Sequence, residues 1–135
     1  MQQYSSSIHP SPQSPLQRAA HFQVGKQGED IAEQFLRGIG YEVRGKNLRL
    51  GRDEIDLLAF DPVDHALVFA EVKTRSRQDA DYPAHMNAGR RKRINLRRSA
   101  RRWVTQHAYE GGYRMDLVCV EGGRVTQHIK ELSWG

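Results

Sequence analysis

Three ionisable residues stand inside stretches that otherwise read as apolar strands: Asp56 within Glu54–Phe60, and Glu71 and Lys73 within Ala66–Arg75. Residues two apart on a strand project from one face, so Glu71 and Lys73 point together. If the two strands are antiparallel neighbours across the turn Asp61-Pro62-Val63-Asp64-His65, Asp56 comes close to Glu71. Two carboxylates at that separation repel, and each tends to take up a proton unless a cation lies between them. A hard divalent ion, Mg²⁺ or Mn²⁺, suits the place, because Mg²⁺ takes oxygen ligands and keeps several waters. Lys73 beside it would orient a water, assist its deprotonation or neutralise a phosphate oxygen. Such a group suits phosphodiester hydrolysis, in which the cation lowers the pKa of water and stabilises charge developing on phosphorus. The spacing Asp-x14-Glu-x-Lys is weak alone, since Glu-x-Lys on a strand is often a surface ion pair. Its apolar flanks (Ile55, Leu57, Leu58, Val68, Phe69, Val72) argue for central strands, where an isolated charge is costly.

The elements that must position these residues follow from periodicity. Ile31, Ala32, Phe35, Leu36 and Ile39 recur at helical spacing over about Gly25 to Ile39, and Gly40 supplies a stop. Tyr41–Leu50 reads as a strand with a turn-prone Gly45-Lys46-Asn47 inside it. Glu54–Phe60 alternates Glu54/Asp56/Leu58 with Ile55/Leu57/Ala59. In Ala66–Arg75, Val68, Ala70 and Val72 share one face, with Phe69, Glu71 and Lys73 on the other. A polar loop over Ser76–Ala88 leads to a helix at about Gly89–Ala108, whose core-facing stripe is Leu96, Ala100, Trp103, Val104 and His107. His107 is expected to pack there and not to bind a ligand. Arg114–Val120 and Val125–Leu132 are strands joined at Glu121-Gly122-Gly123. The order α-β-β-β-α-β-β predicts an α/β fold around a mixed central sheet flanked by helices. Met1 to about Phe22, rich in Ser, Gln and Pro, reads as a flexible tail on a single domain spanning 23–135, its last few residues being available to begin the first helix.

Charge is concentrated in that second helix. The chain of 135 residues has 21 Lys+Arg against 16 Asp+Glu, a net +5. Eight basic residues lie between Arg90 and Arg102 with no acid among them, so the remainder of the chain is mildly acidic. Arg91, Arg98 and Arg102 form one ridge and Arg90, Arg97 and Arg101 another, both off the apolar stripe. Like charges at i, i+4 cost a few tenths of a kcal/mol each. A solvated Arg-rich helix is the plain reading, but accepting this repulsion without interleaved Glu suits a polyanion, and nucleic acid is the commonest such partner. These six arginines are the candidate nucleic-acid-binding residues.

The runs Gly28-Glu29-x-x-Ala32, Glu54-Ile55-Asp56-Leu57-Leu58, Val68-Phe69-Ala70-Glu71-Val72-Lys73-Thr74-Arg75 and Arg114-Met115-Asp116-Leu117-Val118 occur in that order. Together they resemble the bacterial YraN-like family, a largely uncharacterised branch of the PD-(D/E)XK restriction-endonuclease-like superfamily related to archaeal Holliday junction resolvases. The resemblance spans roughly Gly25 to Trp134. It implies a restriction-endonuclease-like core, with Asp56 and Glu71 as metal-binding acids and Lys73 as the active-site lysine. Glu29 matches the helix acid that some resolvases add to the metal site; a first-turn acid favoured by the helix dipole is the plainer reading of it. Glu54 is a weaker candidate on the face of Asp56, and Asp116 is expected to be structural. There are departures: Asp53 where the family commonly has Gly, Arg90 where Lys is usual, and Ala80-Asp81-Tyr82-Pro83 where an aromatic-Gly pair is typical.

The leading expectation is a metal-dependent nuclease acting on DNA, branched DNA included, with Mg²⁺ or Mn²⁺ as cofactor. The alternative is a non-catalytic nucleic-acid-binding module on the same fold; a protein-interaction domain meeting an acidic partner comes third. A homodimer follows only by analogy with related resolvases. Cys119, the single cysteine, excludes an internal disulfide framework and a Cys-cluster zinc site. No apolar run nears the roughly 20 residues of a membrane span, and Met1–Ala20 lacks a signal-peptide pattern. A cytoplasmic protein is expected.

Overall fold

The computed structural model describes residues 15–75 and 90–131, with side chains from residue 26 in the first helix and from residue 94 in the second. The start of the expected tail, the loop at 76–88 with Ala80-Asp81-Tyr82-Pro83, and the side chains of Arg90 and Arg91 lie outside the described residues. The elements are α1 (Pro15–Gly38), β1 (Glu42–Leu50), β2 (Asp53–Asp61), β3 (Ala66–Arg75), α2 (Arg90–Gln106), β4 (Gly112–Glu121) and β5 (Arg124–Ile129). One five-stranded sheet runs β1-β2-β3-β4-β5. Only β3 and β4 are parallel, and α2 lies in the connection that a parallel pair requires. The mixed sheet flanked by two helices is the α/β architecture expected, consistent with a restriction-endonuclease-like core.

Helix α1 begins at Pro15, well before the expected start near Gly25, so part of the segment read as tail is helical. Proline at the first helical position loses nothing, because its missing N–H would be unpaired there anyway. The following Leu16-Gln17-Arg18-Ala19-Ala20 are good helix formers. Its stop agrees with the sequence: Gly40 adopts φ 98°. Ile39 therefore falls beyond the helix and is exposed, not part of the apolar stripe.

The sheet separates two cores. Under α1 lie Ala32, Leu36, Leu57, Ala59, Val68, Ala70, Val118 and Val120. Under α2 lie Leu50, Ile55, Leu58, Leu67, Phe69, Leu96, Ala100 and Met115, with Trp103 and Val104 packed against them. His107 departs from the expectation: it follows the end of α2, is exposed, and stacks on Trp103 with ring centroids 3.9 Å apart. Among the described residues no helix is long and apolar enough to cross a membrane.

At the β2–β3 hairpin end of the sheet, Arg114 is buried and fully engaged. It donates to Asp116 Oδ1 at 2.9 Å, Asp61 Oδ2 at 3.0 Å, Asp64 Oδ2 at 3.1 Å and the Tyr41 hydroxyl at 2.6 Å. Asp116, wholly buried, also pairs with His128 Nε2 at 2.8 Å, which gives it the structural place expected. Burial pushes the Asp61 carboxyl up, but Arg114 and the amides of Asp64 and Val63 together hold it below its ordinary value. Burial drives Tyr41 to about 12. This charge cluster ties β2, the β2–β3 turn, β4 and β5 together at the end of the sheet away from Lys73.

Candidate active site at the end of the β2–β3 ladder

Strands β2 and β3 are antiparallel neighbours, the condition on which Asp56 comes close to Glu71. Their ladder runs from Asp61↔Ala66 to Leu57↔Ala70, so the next position in register sets Asp56 opposite Glu71. There a side chain replaces the ladder: Asp56 Oδ2 accepts the Val72 N–H at 2.8 Å. Val72 is the residue between Glu71 and Lys73, so the carboxylate is fixed against the backbone of Glu-Val-Lys. Alternation from Phe69 carries Glu71 and Lys73 to the α2 side, while Val72 packs on the α1 side. All three residues are half-buried.

The expected alternation in β2 fails at Asp56. Ile55 packs in the α2-side core with Leu58, whereas Leu57 packs under α1 with Ala59. Across from this break, Asn47 lies between Lys46, the partner of Leu57, and Leu48, the partner of Ile55. Asn47 has φ 51°, a left-handed conformation that Asn adopts more readily than most residues. The turn tendency at Gly45-Lys46-Asn47 thus becomes an irregularity in β1 that turns β2 where Asp56 stands, rather than a loop. A residue out of the pleat is what allows the Asp56 carboxylate to reach a backbone amide of the neighbouring strand.

Asn47 also ties in α1, because its side chain hydrogen-bonds Glu29. Burial chiefly, with repulsion from Glu54, raises the Glu29 carboxyl above its ordinary value in spite of that bond. The preceding Gly28 sets the approach of the helix, since a Cβ there would overlap Thr74 Oγ1 on β3. Gly28→Ala is accordingly expected to destabilise by about 1–3 kcal/mol through overpacking, against the gain of about 1 kcal/mol that Ala brings to a helix interior. Urea unfolding of Gly28→Ala with and without Thr74→Ala measures it: most of the loss should return when the hydroxyl and methyl are removed.

The basic helix serves the site's frame as well as its surface. Arg98 forks onto Asp53, Nε to Oδ2 at 2.9 Å and Nη2 to Oδ1 at 2.8 Å. These bonds hold the Asp53 carboxyl below its ordinary value. Arg102 Nη1 donates to the Leu50 carbonyl at 2.8 Å. Between them Gly51 turns at φ 68°, where a Cβ would lie 2.7 Å from Arg102 Nη1. The acid that stands in place of a common glycine is therefore the partner of Arg98, and two of the six candidate arginines pin the β1–β2 turn to α2. Arg97 and Arg101 are exposed.

The donor set fits a hard cation in part. Asp56 and Glu71 offer carboxylate oxygens at adjacent register positions, and Mg²⁺ commonly binds through one or two carboxylates with water completing its shell. Among the described residues, however, no three His, Cys, Asp or Glu side chains gather into a metal-holding group, so Glu29 does not join Asp56 and Glu71 in one. Sequence reasoning passed over Asn47 and Arg75. Arg75 extends the two-residue period of Glu71 and Lys73, and that signal was available.

The sequence model of the uncharacterised protein family UPF0102 matches residues 28–120. A UPF0102 protein of Streptomyces griseus is 39% identical over 116 residues, covering 82% of this chain and 95% of the relative. One from Beutenbergia cavernae is 40% identical over 112 residues, covering 79% and 92%. One from Cytophaga hutchinsonii is 30% identical over 113 residues, covering 84% and 97%.

Proposed function

The chain belongs to the uncharacterised protein family UPF0102, and from that premise we propose that it is a divalent-metal-dependent nuclease, hydrolysing phosphodiester bonds in DNA at Asp56, Glu71 and Lys73. One observation carries the proposal. Asp56 stands where the β2–β3 ladder stops and holds its carboxylate against the Val72 amide, between the two charged residues of Glu71-Val72-Lys73. A half-buried carboxylate fixed between two charged residues is a group suited to a cation.

In this reading Asp56 and Glu71 bind Mg²⁺ or Mn²⁺ with carboxylate oxygens. The cation, when bound, supplies Lewis-acid stabilisation of the charge that develops on phosphorus and a lowered pKa for water. The Val72 amide fixes the rotamer of Asp56, which sets where that charge is compensated and keeps the reorganisation cost low. Lys73 shares the face of Glu71 and holds a non-bridging phosphate oxygen or orients the attacking water. The exposed Arg97 and Arg101 give a basic flank that positions phosphates without reading sequence. DNA with branch points is the favoured substrate, on the likeness to junction resolvases.

The lack of a three-acid group among the described residues favours a second reading, a nucleic-acid-binding module without catalysis. One experiment separates the two. Full-length protein is incubated with linear, flap and four-way-junction DNA, with and without Mg²⁺ or Mn²⁺, and binding is measured in Ca²⁺. Metal-dependent cutting of at least one form supports the nuclease. Binding to all forms with no cutting in either metal supports the module.

A further inference from the structure

Two arginines of the protein are buried to the same degree, each with 5% of its surface exposed, and they differ in company. Arg114 is saturated by Asp61, Asp64, Asp116 and Tyr41. Arg75, the last residue of β3, leaves both Nε and Nη2 without any hydrogen-bond partner. A guanidinium cannot shed its proton to escape this. Two buried N–H donors left unpaired are therefore a standing cost, and proteins tolerate such groups chiefly where a ligand completes them.

The direction of the side chain says which ligand. Alternation along β3 puts Arg75 on the same side as Glu71 and Lys73. Lys73 is the register partner of Cys119, and both Lys73 and Arg75 act electrostatically on its buried thiol. Lys73 and Arg75 thus share one side of β3 with Glu71, a candidate metal acid. Ser99 Oγ, buried under α2 on that same side of the sheet, is the only other buried side-chain atom lacking a partner among the described residues. Glu121 is the register partner of Arg75 on β4, yet Nε and Nη2 are not bonded to it.

We propose that Arg75 is a substrate-binding residue of the site, its Nε and Nη2 forming a two-donor fork for the oxygens of a nucleic-acid backbone phosphate. The fork matches phosphate geometry in a way an ammonium does not. The inference deepens the nuclease reading and rests on it for the identity of the phosphate, but the anion site itself is testable apart from cleavage.

The test uses the full-length chain in EDTA. Melting temperatures are compared in sodium phosphate and in sodium chloride of equal ionic strength for wild type, Arg75→Gln, Arg75→Lys and the exposed control Arg97→Gln. Binding of a four-way-junction DNA is measured alongside. Wild type and Arg97→Gln should be stabilised by phosphate. Arg75→Gln should melt at or above wild type in chloride, since two unpaired buried donors are gone, and should lose the phosphate increment. Its affinity for the DNA should fall by about 10- to 100-fold, the worth of hydrogen bonds to a charged group, with Arg75→Lys in between. A phosphate increment that survives in Arg75→Gln overturns the proposal. So does a large loss of stability of Arg75→Gln in chloride, which would place Arg75 in the internal framework as Arg114 is. Loss of the phosphate increment with unchanged DNA affinity overturns the nucleic-acid part. Because no step requires cleavage, an inactive wild type that still binds phosphate through Arg75 would defeat the nuclease reading and leave the anion site standing.

Discussion

Arg114→Ala is expected to destabilise the protein by about 3–5 kcal/mol near neutral pH, the cost of breaking a buried charge pair by removing one partner. Native domains hold roughly 5–15 kcal/mol in total, so the variant should sit close to unfolding. The size follows from what is left behind. Asp61 and Asp116 are 1% and 0% exposed, and without Arg114 the Asp61 carboxyl keeps neutral partners, the Val63 and Asp64 amides and the Tyr41 hydroxyl, with Lys130 Nζ 3.9 Å away. Arg114→Lys should recover part of the loss, since one ammonium cannot reach three carboxylates and a phenol as the guanidinium does.

The pH dependence has a definite sign. In the folded wild type the Asp61 carboxyl lies below its ordinary value. The stability this contributes is present above the ordinary value of 3.8 and is lost as pH falls through the folded one. In Arg114→Ala, burial without the cation turns the shift upward, so protonation on acidification relieves the variant. Urea unfolding at neutral pH and near pH 4 should therefore show the gap between wild type and variant narrowing in acid. An unchanged gap would mean that Asp61 does not report on Arg114.

The second large effect concerns the candidate site, where stability and activity separate. Asp56 accepts the Val72 N–H at 2.8 Å. Asp56→Asn retains an oxygen for that amide and should fold with stability near wild type. Asp56→Ala leaves the amide without its partner and should lose about 1–3 kcal/mol. Both replacements remove the charge that the proposed cation needs. Both should therefore lower the rate of DNA cleavage by at least about 100-fold, the scale seen when one electrostatic stabiliser of a transition state is removed. A structural Asp56 would instead give two variants ranked by stability, with Asp56→Asn close to wild type in rate.

Much of this arrangement could be read from residue order. Alternation placed Glu71 and Lys73 on one face of β3, and the five-residue turn at Asp61–His65 implied the antiparallel pairing that brings Asp56 level with Glu71. What periodicity could not show were departures from periodicity. A left-handed residue at Asn47 flips β2 at Asp56, and a window of alternating residues averages over one such flip. The basic helix looked like a surface for a polyanion throughout. Arg98 and Arg102 also hold the β1–β2 turn, because Asp53 and the Leu50 carbonyl come within reach only once the sheet has formed. Likewise Arg75 and Arg114 are both arginines in strand segments, and only packing distinguishes the saturated one from the one with open donors. The early start of α1 shows local propensity at work: Pro15 and the alanines that follow form a helix in a segment whose overall composition reads as tail.

The most direct measurement is single-turnover cleavage of a four-way-junction DNA by saturating full-length protein, wild type beside Lys73→Ala, followed before and after addition of Mg²⁺. Saturation removes binding from the comparison, so the rate reports on the chemistry at Asp56, Glu71 and Lys73. The account predicts no cutting before Mg²⁺, cutting by wild type after it, and a rate at least about 100-fold lower in Lys73→Ala. Cutting that needs no metal, or that proceeds equally in Lys73→Ala, would contradict it.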